Sequence, residues 1–308
     1  MPLRRLPRNN NRRQAPITDV PGHSDNSPGA SRRTFMQTIH VALDETDHSL
    51  RGLALGRNLA AQLGVSLSVV SVVADPAQSE RRREALRARL AEETTAGHES
   101  IPVEVMVNDS AKDALASLAD QEGVGLCLGA HGRRPVPEML IGSVTAGVVR
   151  RASRPVLLCG PRYAPERHAR VEVVMVCVDG SPLSEAMLPH AVALAERFGA
   201  RLQLLQVIDA SAMAAAAGEG SPGDVMESGY VHGLARRLER EYRLEVDWEV
   251  LHGTPADAIV SYLADSRDVM LAMTTHGRSG LSQVVAGSVS HEVLHEACCP
   301  VAVLRPKG

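Results

Sequence analysis

Two short stretches of the chain carry residue types suited to capturing an anion. In the first, His131-Gly132-Arg133 is followed by residues to Ile141 and then by Gly142-Ser143-Val144-Thr145. In the second, His276-Gly277-Arg278 is followed at the same interval by Gly287-Ser288-Val289-Ser290. Each stretch follows an apolar run of strand type, Val124 to Gly129 and Asp268 to Met273, and each opens into a helical pattern. The first-turn N–H groups of a helix have no intrahelical partners, and the helix dipole adds partial positive charge beside them. Glycine lets backbone approach a phosphate, the Ser143 and Ser288 hydroxyls can donate to one, and the Arg133 and Arg278 guanidinium forks match its geometry. The chemistry is polyanion binding.

The repetition strengthens this reading. An interval of 145 residues relates His131 to His276, and between His131 and Pro161 11 of 31 positions are identical to those from His276 to Pro306. An interval of 135 relates Asp44 to Asp179 and Val72 to Val207, so the second copy holds about ten extra residues, expected between Asp209 and Gly223. Two copies in 308 residues mean a duplicated domain.

Each copy must then position its loop by alternating strands and helices. In the first, strands are expected at Thr38 to Leu43, Val65 to Val73, Val103 to Val107, Val124 to Gly129 and Pro155 to Cys159. Helices are expected over Asp47 to Leu63 and Ser79 to Gly97, then after a Ser110 cap and from Gly142-Ser143. The second restarts at Val171 to Val178, with a helix over Asp224 to Tyr242 and another opened by Thr254-Pro255, a hydroxyl cap followed by proline where no N–H is needed. The pattern β-α-β-α-β-α-β-α-β means a parallel sheet with helices on both faces and right-handed crossovers. Ligands of such sheets bind beyond the carboxyl ends of the strands, where strand order reverses. Asp44 and Asp179 end the first strand of each copy and share that rim with the glycine loops.

The remaining regions follow. Residues 1–34 read as a disordered basic tail, with seven arginines against two aspartates. Arg32-Arg33 resembles an export signal, but only TIHVAL follows before Asp44, which is too short an apolar stretch. The domains are read as 35–160 and 171–308, joined by a linker at 161–170. Net charge of −3 and 2 % aromatic residues offer no case for nucleic acid, and no apolar run is long enough for a membrane span. Five cysteines without a C-x-x-C pair read as buried thiols of a reducing compartment, the cytoplasm.

Other motifs invite chemistry. His291-Glu292-Val293-Leu294-His295 spells the zinc-protease pattern H-E-x-x-H, but proteolysis needs a third ligand and only 13 residues remain. An exposed helix face is the default, with adventitious metal contact the residual chemistry. Cys298-Cys299 reads as a helix-end thiol pair packed on the sheet, and His131 and His276 as positional residues at the strand exit. Only Lys112 and Lys307 are lysines, neither lies in a glycine loop, and no G-x-x-x-x-G-K-[ST] occurs, which excludes P-loop chemistry.

Taken together, Asp179-Gly180-Ser181, Gly253-Thr254-Pro255, Thr275-His276-Gly277-Arg278-Ser279-Gly280 and Gly287-Ser288 resemble a universal stress protein domain. The first copy resembles it more loosely, through Gly129, Gly132, Gly142 and Ser143; in the second, Thr274 stands where the first has Gly129. The resemblance implies a tandem protein of two Rossmann-like domains, each a five-stranded parallel sheet in the order 3-2-1-4-5. It implies ATP, with Mg, as the ligand of both. In the first domain Asp44 and Val72 would line the adenosine, Leu128 and Gly129 would flank base and sugar, and Gly132, Arg133, Gly142, Ser143, Val144 and Thr145 would hold phosphate. In the second, Asp179, Val207, Met273, Thr274, Gly277, Arg278, Gly287, Ser288, Val289 and Ser290 would do the same. Last strands pair across a twofold in this family, so Pro155 to Cys159 could pair with Pro300 to Arg305 as an intramolecular pseudo-dimer, alongside a homodimer. The implied role is a nucleotide-dependent stress-response regulator without fast catalysis; the alternative is a slow Mg-dependent ATP hydrolase. Pro135 and Pro137 replace Gly280 and Ser282, removing N–H groups, and Glu45 replaces Gly180 beside Asp44, so the second site is expected to bind more tightly.

Overall fold

The structure is a computed structural model that describes residues 36–44, 46, 49–93, 100–130, 142–209, 223–275 and 287–306. Its first half runs β1 (Thr38–Ala42), α1 (Leu50–Leu63), β2 (Ser66–Val73), α2 (Ser79–Glu92), β3 (Val103–Val107), α3 (Ala111–Ala119), β4 (Val124–Gly129), α4 (Ser143–Arg151) and β5 (Val156–Cys159). The second runs β6 (Val173–Val178), α5 (Pro182–Glu185), α6 (Leu188–Phe198), β7 (Arg201–Ile208), α7 (Gly223–Tyr242), β8 (Val246–His252), α8 (Pro255–Leu263), β9 (Val269–Thr274), α9 (Ser288–Glu296) and β10 (Val301–Leu304).

Local chemistry accounts for the boundaries. Ser110 caps α3 by accepting from the Asp113 N–H at 3.3 Å. Helix α8 begins at Pro255 as expected, but the Thr254 hydroxyl makes no capping bond, so proline's fixed φ rather than a side-chain cap sets this start. Helix α1 ends at Gly64 in the left-handed conformation, where glycine carries no Cβ penalty.

Strand order in each half is 3-2-1-4-5, all parallel, but the two sheets are not separate. They merge into one ten-stranded sheet, β3-β2-β1-β4-β5-β10-β9-β6-β7-β8. The junction is antiparallel: Val301 stands opposite Leu158, Ala302 opposite Leu157 and Val303 opposite Val156. All six are buried. One apolar layer packs α1, α2, α6 and α7 against one face, and a second packs α3, α4, α8 and α9 against the other. Because β5 and β10 run in opposite directions, the carboxyl ends of the two halves emerge at opposite edges of the sheet.

The segment joining the halves is not a free tether. Tyr163 and His168 are buried, and the Asn58 side chain donates to the Pro165 and His168 carbonyls at 3.1 and 3.4 Å. Gln62 exchanges two bonds with Val171, accepting from its N–H at 2.7 Å and donating to its carbonyl at 2.9 Å. Alpha helix α1 of the first half is thereby bound to the start of the second.

Candidate functional site

Strand order reverses between β1 and β4 in the first half and between β6 and β9 in the second. At each reversal an aspartate leaves the sheet. Asp44 Oδ1 accepts from the Thr46 N–H at 2.9 Å and from the Thr46 hydroxyl. Asp179 Oδ1 accepts from the Ser181 N–H at 2.9 Å and from the Ser181 hydroxyl at 2.6 Å. The two carboxylates are therefore held in the same way by a hydroxyl residue two positions on. The intervening Gly180 has φ of 84°, a conformation glycine adopts without strain. Ser184 completes the second turn: its hydroxyl accepts from the Asp179 N–H at 3.2 Å and donates to the Ser181 carbonyl at 2.9 Å.

The starts of α4 and α9 follow β4 and β9, the strands beside β1 and β6, so they share the carboxyl-end rim with these aspartates. Their N-cap residues are Gly142 and Gly287, and neither helix has a side-chain cap. The first intrahelical bonds come from the Ala146 N–H to the Gly142 carbonyl and from the His291 N–H to the Gly287 carbonyl. The amides of Ser143, Val144 and Thr145, and of Ser288, Val289 and Ser290, precede that ladder and keep their donor capacity at the rim. Ser143, Val144 and Ser288 are exposed.

Thr145 and Ser290 have a different role in their side chains. Both are buried; the Thr145 hydroxyl donates to the Gly129 carbonyl at 3.1 Å, and the Ser290 hydroxyl to the Thr275 carbonyl at 3.1 Å. They tie each helix start to the exit of the preceding strand, so only their backbone could face a ligand. Gly287 adds an N–H bond to the Thr275 carbonyl at 2.6 Å, and a Cβ there would lie 3.1 Å from that oxygen. Each strand exit is fixed in turn to the last strand, through the Ala130 N–H to the Cys159 carbonyl and the Thr275 N–H to the Leu304 carbonyl.

Of the remaining sequence candidates, Leu128 and Met273 are buried in the layer that carries α4 and α9, and Thr274 is buried at the end of β9. Gly129 ends β4, and Val72 and Val207 are half-buried beside that same layer. Gly132, Arg133, Gly277 and Arg278 lie outside the described residues, as do His131, His276 and Glu45. Thr46, Ser181 and Ser184 were missed as rim residues, although the repeated Asp-x-Thr/Ser spacing was visible. Tyr230 was also missed. Its hydroxyl donates to Glu185 Oε1 at 2.9 Å, Arg237 binds the other oxygen at 2.6 Å, and burial, Glu185 and Asp179 together hold the phenol well above its ordinary range. No local pattern announces that cluster, because its members come from α5 and α7.

A profile of the universal stress protein family matches residues 36–160 and again 171–305. The chain belongs to the universal stress protein family. Universal stress protein Rv2005c of Mycobacterium tuberculosis is 33 % identical over 218 residues, a match covering 67 % of this chain and 66 % of the relative. Universal stress protein MJ0531 of Methanocaldococcus jannaschii is 28 % identical over 137 residues, 43 % of this chain and 81 % of the relative. Among solved structures, a universal stress protein from Archaeoglobus fulgidus aligns with a TM-score of 0.59 at 18 % identity, over 88 % of this chain and 98 % of that one. A functionally unknown protein from Pseudomonas aeruginosa PAO1 aligns at 0.54 and 20 % identity, over 88 % and 93 %. The structural likenesses speak for the fold alone.

As a tandem universal stress protein, the chain carries two family domains and builds both strand-order reversals from equivalent elements. Among the described residues no helix is long and apolar enough to cross a membrane. All five cysteines are free thiols; Cys127, Cys159 and Cys299 are buried, and Cys177 and Cys298 are half-buried. Burial holds the Cys159, Cys177 and Cys299 thiols up at about 12, which leaves them inert as nucleophiles.

Proposed function

We propose that both crevices bind ATP, carried with Mg, and that occupancy serves regulation rather than fast turnover. One observation carries this reading: glycine-started α4 and α9, which have no side-chain cap, each share the carboxyl-end rim at the reversal of strand order with an aspartate held by a hydroxyl residue. Uncapped amides at a helix start suit a polyphosphate. The Asp44 and Asp179 carboxylates suit the sugar hydroxyls, and half-buried Val72 and Val207 suit the adenosine side. Gly132, Arg133, Gly277 and Arg278 complete the phosphate cradle in this reading. Loss of N–H groups at Pro135 and Pro137 makes the second site the tighter one.

The domains of this reading are 35–160 and 171–308, with the nucleotide sites at opposite sheet edges. The protein acts in the cytoplasm, without nucleic acid as a partner, and the internal β5·β10 pairing takes the place of a dimer contact while leaving the outer edges for a homodimer.

Isothermal titration with Mg-ATP tests the binding claim directly. The Gly132→Val/Gly277→Val double variant should lose at least about tenfold in affinity, the loss of one or more charge-assisted bonds. Undiminished affinity would overturn the reading. Mass spectrometry of nucleotide released from the purified protein should report adenine nucleotide. Turnover well above about 1 per second would shift the assignment to an ATP hydrolase.

A further inference from the structure

Helix α9 carries a pattern that nucleotide binding does not use. His291-Glu292-Val293-Leu294-His295 lies wholly within Ser288–Glu296, which is helical throughout. Residues four apart on a helix are neighbours on one face, about 5–6 Å between Cβ atoms, so two imidazoles there can reach one ion. Val293 and Leu294 anchor the helix on the sheet and are buried, whereas His291 and His295 are half-buried.

His295 is also oriented from behind. Its Nδ1 lies 2.8 Å from Glu296 Oε1, and the other carboxylate oxygen is 2.9 Å from Arg162 Nη2 in the segment joining the halves. A carboxylate at Nδ1 fixes the proton on that nitrogen and leaves the Nε2 lone pair for a metal, the arrangement found behind many metal-ligating histidines. The platform is firm: a Cβ at Gly160 would come within 1.9 Å of the Leu294 carbonyl oxygen, so the joining segment presses directly on α9.

We propose that His291 and His295 chelate one borderline-soft divalent transition ion, of the zinc, cobalt or nickel class, across a single turn of α9. Water completes the coordination, because among the described residues no three His, Cys, Asp or Glu side chains converge on a common point. Among the described residues the pair therefore has no third protein ligand of the kind a zinc protease uses. It is confined to the second half: Ala146 and Arg150 occupy the equivalent positions of α4. It stands on α9 and Arg162 alone and is independent of the nucleotide reading.

Isothermal titration of the full chain with zinc chloride, supported by the visible absorption of bound cobalt(II), tests it. The full chain should take up zinc, and a His291→Gln/His295→Gln double variant, which keeps helix-compatible polar side chains, should bind zinc at least about tenfold more weakly. Glu296→Gln should weaken binding by about tenfold with both ligands in place. Far-UV circular dichroism of each variant should match the parent, and a His291→Ala/His295→Ala pair gives the same comparison should the glutamines perturb packing. Equal zinc affinity in the parent and in a folded double variant would overturn the proposal, as would a parent that binds no zinc. Unchanged affinity in Glu296→Gln would overturn the orienting role of that carboxylate.

Discussion

His168 sits where both halves and their connection meet. It is 1 % exposed; its Nδ1 accepts from the Val269 N–H at 3.3 Å, and its Nε2 lies 3.6 Å from Cys298 Sγ. Burial, and then the neighbouring Arg167, pull its pKa from 6.5 down to about 4. Protonation would cost Nδ1 its acceptor role and place a charge in the interior that nearby Asp268 offsets only in part. The unfolded chain therefore binds the proton first, and stability falls as pH drops from about 6.5 to about 4, by on the order of 3 kcal/mol for this group. Half-buried His40 and His190, also lowered chiefly by burial, add to the same limb. Urea unfolding at pH 7 and pH 4.5 should show the loss, and His168→Asn, which can still accept from Val269, should flatten much of it. An acid limb of the same depth in that variant would rule out the imidazole as its source. At the rim, Asp179→Ala should reduce Mg-ATP affinity by about tenfold in titration, the scale of one hydrogen bond to a charged group. Unaltered affinity would remove Asp179 from the site.

Among elements, α9 is held by its neighbours at both ends. Its start has no side-chain cap, so the Ser290 hydroxyl, bonded to the Thr275 and Gly287 carbonyls, holds it to the exit of β9. Ser290→Ala should destabilise the protein by about 1–2 kcal/mol in chemical denaturation, since a buried hydrogen bond is lost with no replacement. At the other end of α9, Gly160→Ala meets the Leu294 carbonyl, and backbone there must move. A loss on the order of 3 kcal/mol is expected, read as a lowered thermal midpoint, whereas a midpoint within a degree of the parent would show that the contact yields freely. Much of this level was legible beforehand. Val103–Val107 and Val124–Gly129 match the expected strands to the residue, because β-branched and apolar runs bounded by turn residues mark a strand whether it is buried, as β4 is, or at the sheet edge, as β3 is. Thr254 was misread as a capping hydroxyl because its rotamer answers to surroundings that propensity does not contain.

For the whole molecule, the decisive contact is β5 against β10. Leu157 and Ala302 face each other within one apolar layer, with Val156, Leu158, Val301 and Val303 in the other. Ala302→Asp would bury an unpaired carboxylate at this seam, costing on the order of 4 kcal/mol or more and exposing the core of both halves. Its unfolding midpoint in urea should drop accordingly, and a midpoint equal to that of the parent would mean the seam is not a shared core. The same pairing turns the carboxyl-end rims of the two halves to opposite edges of the sheet, so the two sites of the proposed function are separate.

The order of residues alone determined the duplication, the alternation of strand and helix, and the placing of Asp44, Asp179, Gly142 and Gly287 at strand exits and helix starts. Those features are local: periodicity, glycine and caps act within a few residues of themselves. The antiparallel seam was legible only as an implication of family resemblance, and its register was not. The burial of Tyr163 and His168 in what read as a linker, the Glu185–Tyr230–Arg237 cluster and the Arg162–Glu296–His295 relay were decided by tertiary structure alone. Each joins residues far apart in the chain, and the free energy that selects such contacts comes from surfaces that exist only once the elements carrying them have packed.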